Sequence, residues 1–228
     1  MEEIWQGLVK AVGLIASLDS EVVAITGRTL AISVSSCSLA TLISIPLGSL
    51  IHATRFRGRR ALISVIQTLF SVPTVVVGLW VFVLVSRAGP LGEWDLLFTP
   101  AVIVVGQVVL ITPLMLGLVI SALSGVDKAV SDTAISLGAT RLQTALLLLR
   151  EGRYALLAAI IMGFGRAFSE VGLSMMVGGN IKGYTRTLTT AISLETTKGD
   201  LELSIALGMI LLLIALAINI TLNRLQQR

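Results

Sequence analysis

Charge is scarce in this sequence. Asp, Glu, Lys and Arg make up 13% of its 228 residues, where a soluble domain carries about 25%. That leaves too little polar surface to face water on every side, and the chain is not expected to act as a soluble enzyme. Cysteine is almost absent. The single Cys37 lies inside an apolar block, which excludes an internal disulfide and leaves no thiol cluster for a metal. The single histidine, His52, has no cysteine or acidic cluster in the sequence around it, so no metal site is expected. No Ser–His arrangement for nucleophilic chemistry stands out either. The Gly-x-x-x-x-Gly-Lys-Ser/Thr phosphate loop does not occur, so the chain is not expected to bind ATP in that manner. No internal repeat is visible, unlike the duplicated halves of many secondary transporters. The first 18 residues begin acidic, with Glu2 and Glu3, and lack the basic region and cleavage site of a secretory signal.

Apolar residues are abundant, at 55%, and they come in blocks. Five blocks, at 22–51, 61–85, 100–123, 154–177 and 203–222, are each long enough to cross a hydrocarbon core of about 30 Å at about 1.5 Å per residue. Blocks of this length exclude a barrel, whose strands alternate over about ten residues, and predict membrane-spanning helices. Before them, Ile4, Leu8, Ala11, Val12, Ile15 and Leu18 recur at helical spacing. Residues 1–20 therefore predict an amphipathic helix on the membrane surface; a sixth span is the other reading, disfavoured by the short segment and by Asp19 and Glu21 after it. The fold class is an all-α membrane bundle of about five helices, residues 21–228, with this N-terminal helix attached.

Basic residues set the orientation. The 51–60 loop, the 124–153 loop and the C-terminal tail hold ten basic residues against three acids. Four of the ten are Arg55, Arg57, Arg59 and Arg60, and Arg224 and Arg228 close the chain. The opposite group, with Arg28 placed near the outer end of the first span, holds six basic residues against nine acids. The first group is expected in the cytoplasm, with the N-terminus outside and the C-terminus inside. Pro46, Pro73 and Pro113 fall inside spans one, two and three; they serve either as packing kinks or as points where gating helices move.

The 124–153 loop is long for so compact a membrane chain. Asp127 can cap a short helix in which Val130, Ala134, Ile135 and Leu137 share an apolar face. Gly138 can end it in a left-handed cap. A helix presented in this way needs a surface to dock into. Arg166 and Glu170 stand four apart in the fourth span, on one side of a helix, either as a structural ion pair or as part of a transport path. Lys182 and Arg186 flank a glycine-rich outer turn. They are solvated loop charges, or they steer an anion or meet an acidic partner.

The run Asp132-Thr133-Ala134 followed by Gly138-Ala139-Thr140 resembles the "EAA" loop of ABC transporter permeases, whose acid, small pair and glycine form the coupling helix. Two departures are visible: the acid is Asp rather than Glu, and Leu149-Arg150 stands where the family has Leu-Pro. Ile45-Pro46-Leu47-Gly48 and the stretch from Gly163 to Gly172, with Arg166-Ala167 and Glu170, are similar to molybdate- and sulfate-type permeases. The run from Met176 to Thr190, with Gly178-Gly179-Asn180, Lys182 and Arg186, is similar to the tungstate branch. The resemblance implies a non-catalytic permease subunit in the cell membrane that dimerises with a second copy. It further implies coupling to ATPase subunits through Asp132, Thr133, Ala134, Gly138 and Ala139, with ATP bound by those partners and no cofactor in this chain. An extracytoplasmic binding protein would deliver an oxyanion, tungstate first and molybdate next, with Gly178, Gly179, Asn180, Lys182 and Arg186 as candidate outer contacts. An ion-coupled carrier and a membrane scaffold without transport remain as other classes.

Overall fold

The computed structural model describes residues 2–54 and 56–227; Arg55 and Arg228, counted above among the basic residues, and Met1 lie outside the described residues. Every element of regular structure among the described residues is helical. Three helices are long and apolar enough to cross a bilayer unbroken: α2 (Ser20–Ala53), α5 (Pro100–Ser124) and the 201–221 portion of α11 (Leu201–Gln227). Asp19 starts α2 by accepting from the N–H groups of Glu21 and Val22, each at 3.0 Å. Thr99 caps α5, and Pro100 opens it where a missing N–H costs nothing. Pro46 and Pro113 sit inside helices that continue past them.

The centre of the bundle is the contact between α2 and α5. Ser36, Ala40, Ser44 and Gly48 lie four apart on α2, so they form one stripe, and all four are buried. Small side chains let two backbones approach. At Gly48 the approach leaves no space, because a Cβ there would stand 2.6 Å from Val119 Cγ1. Ser44 Oγ also crosses the seam, donating to the Thr112 carbonyl at 3.3 Å, while Ser36 Oγ donates to the Ile32 carbonyl of its own helix at 2.7 Å and lies 3.5 Å from the Val104 carbonyl.

The second and fourth expected spans are not single helices, and the expectation of continuous blocks is corrected there. The second is α3 (Arg59–Leu69) followed by α4 (Thr74–Val85), with 97° between them. Pro73 lies in the break; it has no N–H to donate and disfavours helical geometry at Val72. The fourth is α8 (Arg153–Phe168) followed by α9 (Gly172–Gly178), bent by 56°. Each bent pair taken as one span restores five. Val77 and Val81 of α4 pack with Ile103 of α5 and with Leu173 and Val177 of α9. Ile66 of α3 packs on Leu116 and Ile120 of α5.

Four other α-helices are present among the described residues. α1 (Glu2–Ala16) leans along α11, with Ala11 buried and Lys10 within 3.7 Å of Asp200 and 3.8 Å of Glu202. Ile4, Trp5, Leu8 and Val12 remain exposed. The 124–153 loop holds two helices rather than one, α6 (Lys128–Ser136) and α7 (Arg141–Glu151). The stretch after α9, read above as an outer loop, contains α10 (Leu188–Lys198), whose Leu188 and Ala191 pack on Leu207 and Ile210 of α11.

The charge asymmetry and the five-span arrangement predict opposite sides for α6 and the 178–187 loop. Cysteines at the exposed positions Leu137 and Lys182 should report this, since Cys37 is buried. An impermeant maleimide should label Lys182→Cys on intact cells and Leu137→Cys only after permeabilisation. Labelling of both on intact cells contradicts the arrangement.

Candidate functional site

The α6 segment is closed at both ends by its own sequence. Asp127 accepts from the Ala129 N–H at 2.9 Å. At the other end Gly138 takes φ +83°. Its N–H bonds the Ile135 carbonyl, and the Ala139 N–H bonds that of Ala134, both at 3.0 Å. This pair of bonds is a Schellman motif, which needs a left-handed residue where Gly138 stands. Thr140 then begins α7 with a capping box shared with Gln143. The Gly138-Ala139-Thr140 run is thus one helix stop and the next helix start, so α6 is held in place although it is too short to persist alone.

The expected single apolar face of α6 is divided. Val130 and Ala134 turn inward, Val130 against a cluster of Val119, Leu123, Leu148 and Leu156. Ile135 and Leu137 point out, 60% and 83% exposed. Leu137 is the C-cap at φ −82°, ψ 3°, so it has left the helical path that would carry it back to the face of Val130. Thr133 and Asp132 are exposed beside them, Asp132 with Lys128 at 3.8 Å. The outer surface of α6 therefore offers two apolar side chains and an acid. Beside this surface opens a cavity of about 970 Å³ bounded by α6, by the ends of α2 and α5 and by α7, with His52, Arg59, Asp132, Ile135 and Arg141 in its wall. His52 Nδ1 stands 3.3 Å from Ser124 Oγ, tying α2 to α5. No group of three metal-ligating side chains occurs among the described residues.

Arg166 and Glu170 do meet, at 3.2 Å, but Glu170 is not on the helix that carries Arg166. It lies in the break between α8 and α9. Its Oε2 accepts from Arg166, its Oε1 accepts from the Leu173 N–H of α9 at 2.9 Å, and its carbonyl accepts from Thr189 Oγ1 at 2.8 Å. The carboxylate is buried while the guanidinium is 39% exposed. A helix break inside a bilayer frees backbone groups that must find partners, and Glu170 supplies one while joining α8, α9 and α10. Gln107 of α5 supplies another, donating to the Ala167 carbonyl at the end of α8 at 3.1 Å.

The 178–187 loop is tied to α2. Lys182 and Arg186 both pair with Glu21, at 2.7 and 3.5 Å. Arg186 is almost enclosed, and Lys182 stays mostly exposed. Gly179, Asn180 and Gly183 take positive φ, and Asn180 Nδ2 donates to the Thr190 carbonyl at 3.3 Å. Gly178 is buried against Ile103. Two α2 residues not among the expected contacts complete the clasp. Arg28 donates to the carbonyls of Gly183 at 2.8 Å and Arg186 at 3.0 Å. Thr29 Oγ1 accepts from the Leu188 N–H at 2.9 Å. Arg28 was visible as a lone charge in an apolar block; its carbonyl partners, more than 150 residues away, were not.

Residues 44–228 match the family described as "Binding-protein-dependent transport system inner membrane component". Over 227 residues, and the whole of both chains, the sequence is 40% identical to a tungstate uptake system permease protein, TupB, of Peptoclostridium acidaminophilum. It is 31% identical over 204 residues to the molybdenum transport system permease protein ModB of Escherichia coli K12, covering 81% of this chain and 89% of that one. Among solved structures, an inward-facing MetNI methionine ABC transporter matches with a TM-score of 0.75 at 19% identity, over 92% of this chain and 97% of that chain. This last likeness shows a shared fold.

The triple engagement of Glu170 predicts a graded loss. Glu170→Gln keeps an acceptor for the Leu173 N–H but loses the charge, whereas Glu170→Leu loses both. A lost hydrogen bond to a charged group costs about 1.5–3 kcal/mol, so melting of the purified protein should fall from wild type to Gln to Leu. Equal melting in all three would show that the carboxylate does not hold the break together.

Proposed function

Because the chain belongs to the family of binding-protein-dependent transport system inner membrane components, we propose that it is the permease subunit of an ABC importer for an oxyanion, with tungstate the substrate. The observation that carries the substrate is the end-to-end likeness to a permease named for tungstate uptake, nearer than the likeness to the molybdenum permease. Molybdate is the second reading, since the two dianions share charge and nearly share size. Discrimination between them rests with the extracytoplasmic binding protein that hands the ion over.

In this reading two copies of the chain enclose one path. The N-terminus faces outward with α1 on the outer membrane surface, and the C-terminus is cytoplasmic. ATP is bound and hydrolysed by separate ATPase subunits; this chain carries out no covalent chemistry. Asp132, Thr133, Ile135 and Leu137 form the surface that enters the ATPase, and Ala134 with the Gly138-Ala139 turn fixes that surface against the bundle. Movement of α6 reaches the membrane through Val130 and α7, and the breaks at Pro73 and Glu170 are where spans can change angle. On the other side Gly178, Gly179, Asn180, Lys182 and Arg186 shape the loop that meets the binding protein. Glu170, the acid an ion-coupled carrier would use mid-span, is already held by Arg166 and Leu173, which favours the ATP-driven reading.

Two variants test the coupling. Gly138→Val forces a β-branched side chain into a left-handed residue, at a cost of about 1–2 kcal/mol, and should displace α6 while leaving the spans inserted. Asp132→Arg reverses the exposed charge. Both should assemble in the membrane, and both should lose the stimulation of ATP hydrolysis that loaded binding protein produces in the reconstituted complex. Wild-type stimulation in both would remove α6 from the coupling role.

The substrate is tested by tungstate uptake into proteoliposomes carrying the complete transporter and its binding protein. Uptake should persist under excess sulfate and require ATP. Transport of molybdate but not tungstate would overturn the substrate and leave the permease reading intact.

A further inference from the structure

The turn that joins α2 to α3 has no role in the coupling or outer surfaces described above, yet it is the most cationic short segment of the described chain. Arg57, Arg59 and Arg60 stand within four residues, and no acid occurs anywhere between Glu21 and Glu93. Among the described residues none of the three arginines has a carboxylate partner, although seven other ion-pair contacts form elsewhere. Arg59 is held in place by its Nε, which donates to the Ile51 carbonyl at 2.9 Å, leaving its terminal nitrogens available. Arg57 and Arg60 are exposed. Together with Phe56 and Gly58 the three arginines border a shallow hollow of about 510 Å³.

The level of this hollow in the membrane is fixed by its neighbours. Arg59 also lines the cavity beside α6, so the turn lies at the same end of the bundle as the 124–153 loop. Immediately after it, α3 exposes Leu62, Val65 and Leu69 along one side and Arg60, Ser64 and Thr68 along another, while Ile66 packs on α5. An exposed aromatic, Phe56, and three cations therefore stand where apolar helix surface gives way to water. That is the depth of lipid phosphates, beside which Lys and Arg collect on the cytoplasmic side. Guanidinium groups match phosphate oxygens in geometry as well as charge.

We propose that the Phe56–Arg60 turn is a binding site for the phosphate headgroup of an anionic phospholipid of the adjacent leaflet. Arg57, Arg59 and Arg60 contact the phosphate, and Phe56 lies against the glycerol and upper acyl region. The absence of acids and the adjoining exposed apolar residues favour lipid over a protein partner.

The experiment uses the whole transporter, permease with its ATPase subunits, extracted from vesicles of phosphatidylcholine containing phosphatidylglycerol. The phosphatidylglycerol retained per permease is measured by mass spectrometry. Wild type should retain it, and raised salt should strip it, since exposed charges are screened. Arg57→Gln with Arg60→Gln should weaken retention roughly thirtyfold, the conversion of about 1 kcal/mol per arginine at a leaflet surface. Arg57→Lys with Arg60→Lys should restore most of it. Retention that is indifferent to salt in the wild type overturns the proposal without any variant. So does equal retention in the glutamine pair. Loss of ATPase subunits from the glutamine pair with lipid retention unchanged would assign the turn to the ATPase instead. Displacement of the lipid by inorganic phosphate at a concentration of sodium chloride that leaves it bound would make the turn a site for free oxyanions, and would also overturn the lipid assignment.

Discussion

The close approach of α2 and α5 is the constraint on which the other elements depend. In lipid the hydrophobic effect does not press helices together, so packing and cross-helix hydrogen bonds must do so. The Ser36, Ala40, Ser44 and Gly48 stripe gives both, with the Ser44 hydroxyl reaching a carbonyl of α5 and a glycine fitted to Val119. α3, α4, α8 and α9 then pack around this pair, most of them through α5. A larger side chain at Gly48 would separate the two helices at their inner end, beside the His52–Ser124 contact and the cavity next to α6. The short helix that faces the cytoplasmic partner in the proposed function is thus positioned from the same seam that organises the bundle.

The polar groups inside the bundle have a common task. Broken spans expose N–H and C=O groups, and at the break between α8 and α9 side chains answer them. Glu170 serves three helices at once, Gln107 reaches the end of α8, and Thr29 receives the first N–H of α10. The Arg28 clasp does the same for carbonyls of the 178–187 loop. A transporter must change the angle of some spans without unfolding, and breaks whose backbone groups are already satisfied by side chains can move with less loss than an intact helix that must first be ruptured. The membrane charges read from sequence as either structural or functional fit this double use. Glu170 is fixed by three hydrogen bonds at the break between α8 and α9.

The 124–153 loop shows how far local sequence reaches. Asp127 as a cap and Gly138 as a left-handed stop were legible because each is a property of one residue type at one end of a short helix. The division of the apolar residues was not legible. Helical spacing places Leu137 under Val130, but the Schellman turn removes Leu137 from the helix, and whether Ile135 faces the bundle depends on where α7 and α5 stand. α10 was missed for a different reason. Its threonines and single glutamate give no apolar block, although the Thr187–Thr190 capping box and Gly199 mark its ends.

By itself the sequence determined that the chain is a helical membrane protein, where its apolar blocks begin and end, and which loop carries the capped helix. These follow from block length, charge scarcity and capping chemistry, all of which act over a few residues. The breaks in spans two and four, the division of the α6 faces, and the pairing of Arg28, Lys182 and Arg186 with groups far along the chain were decided by tertiary structure. A run of apolar residues satisfies a bilayer equally well straight or broken. Which form wins depends on what the break supplies: at Pro73 the ring removes an N–H and disfavours the helix, and at Glu170 a side chain receives a backbone group that the break exposes.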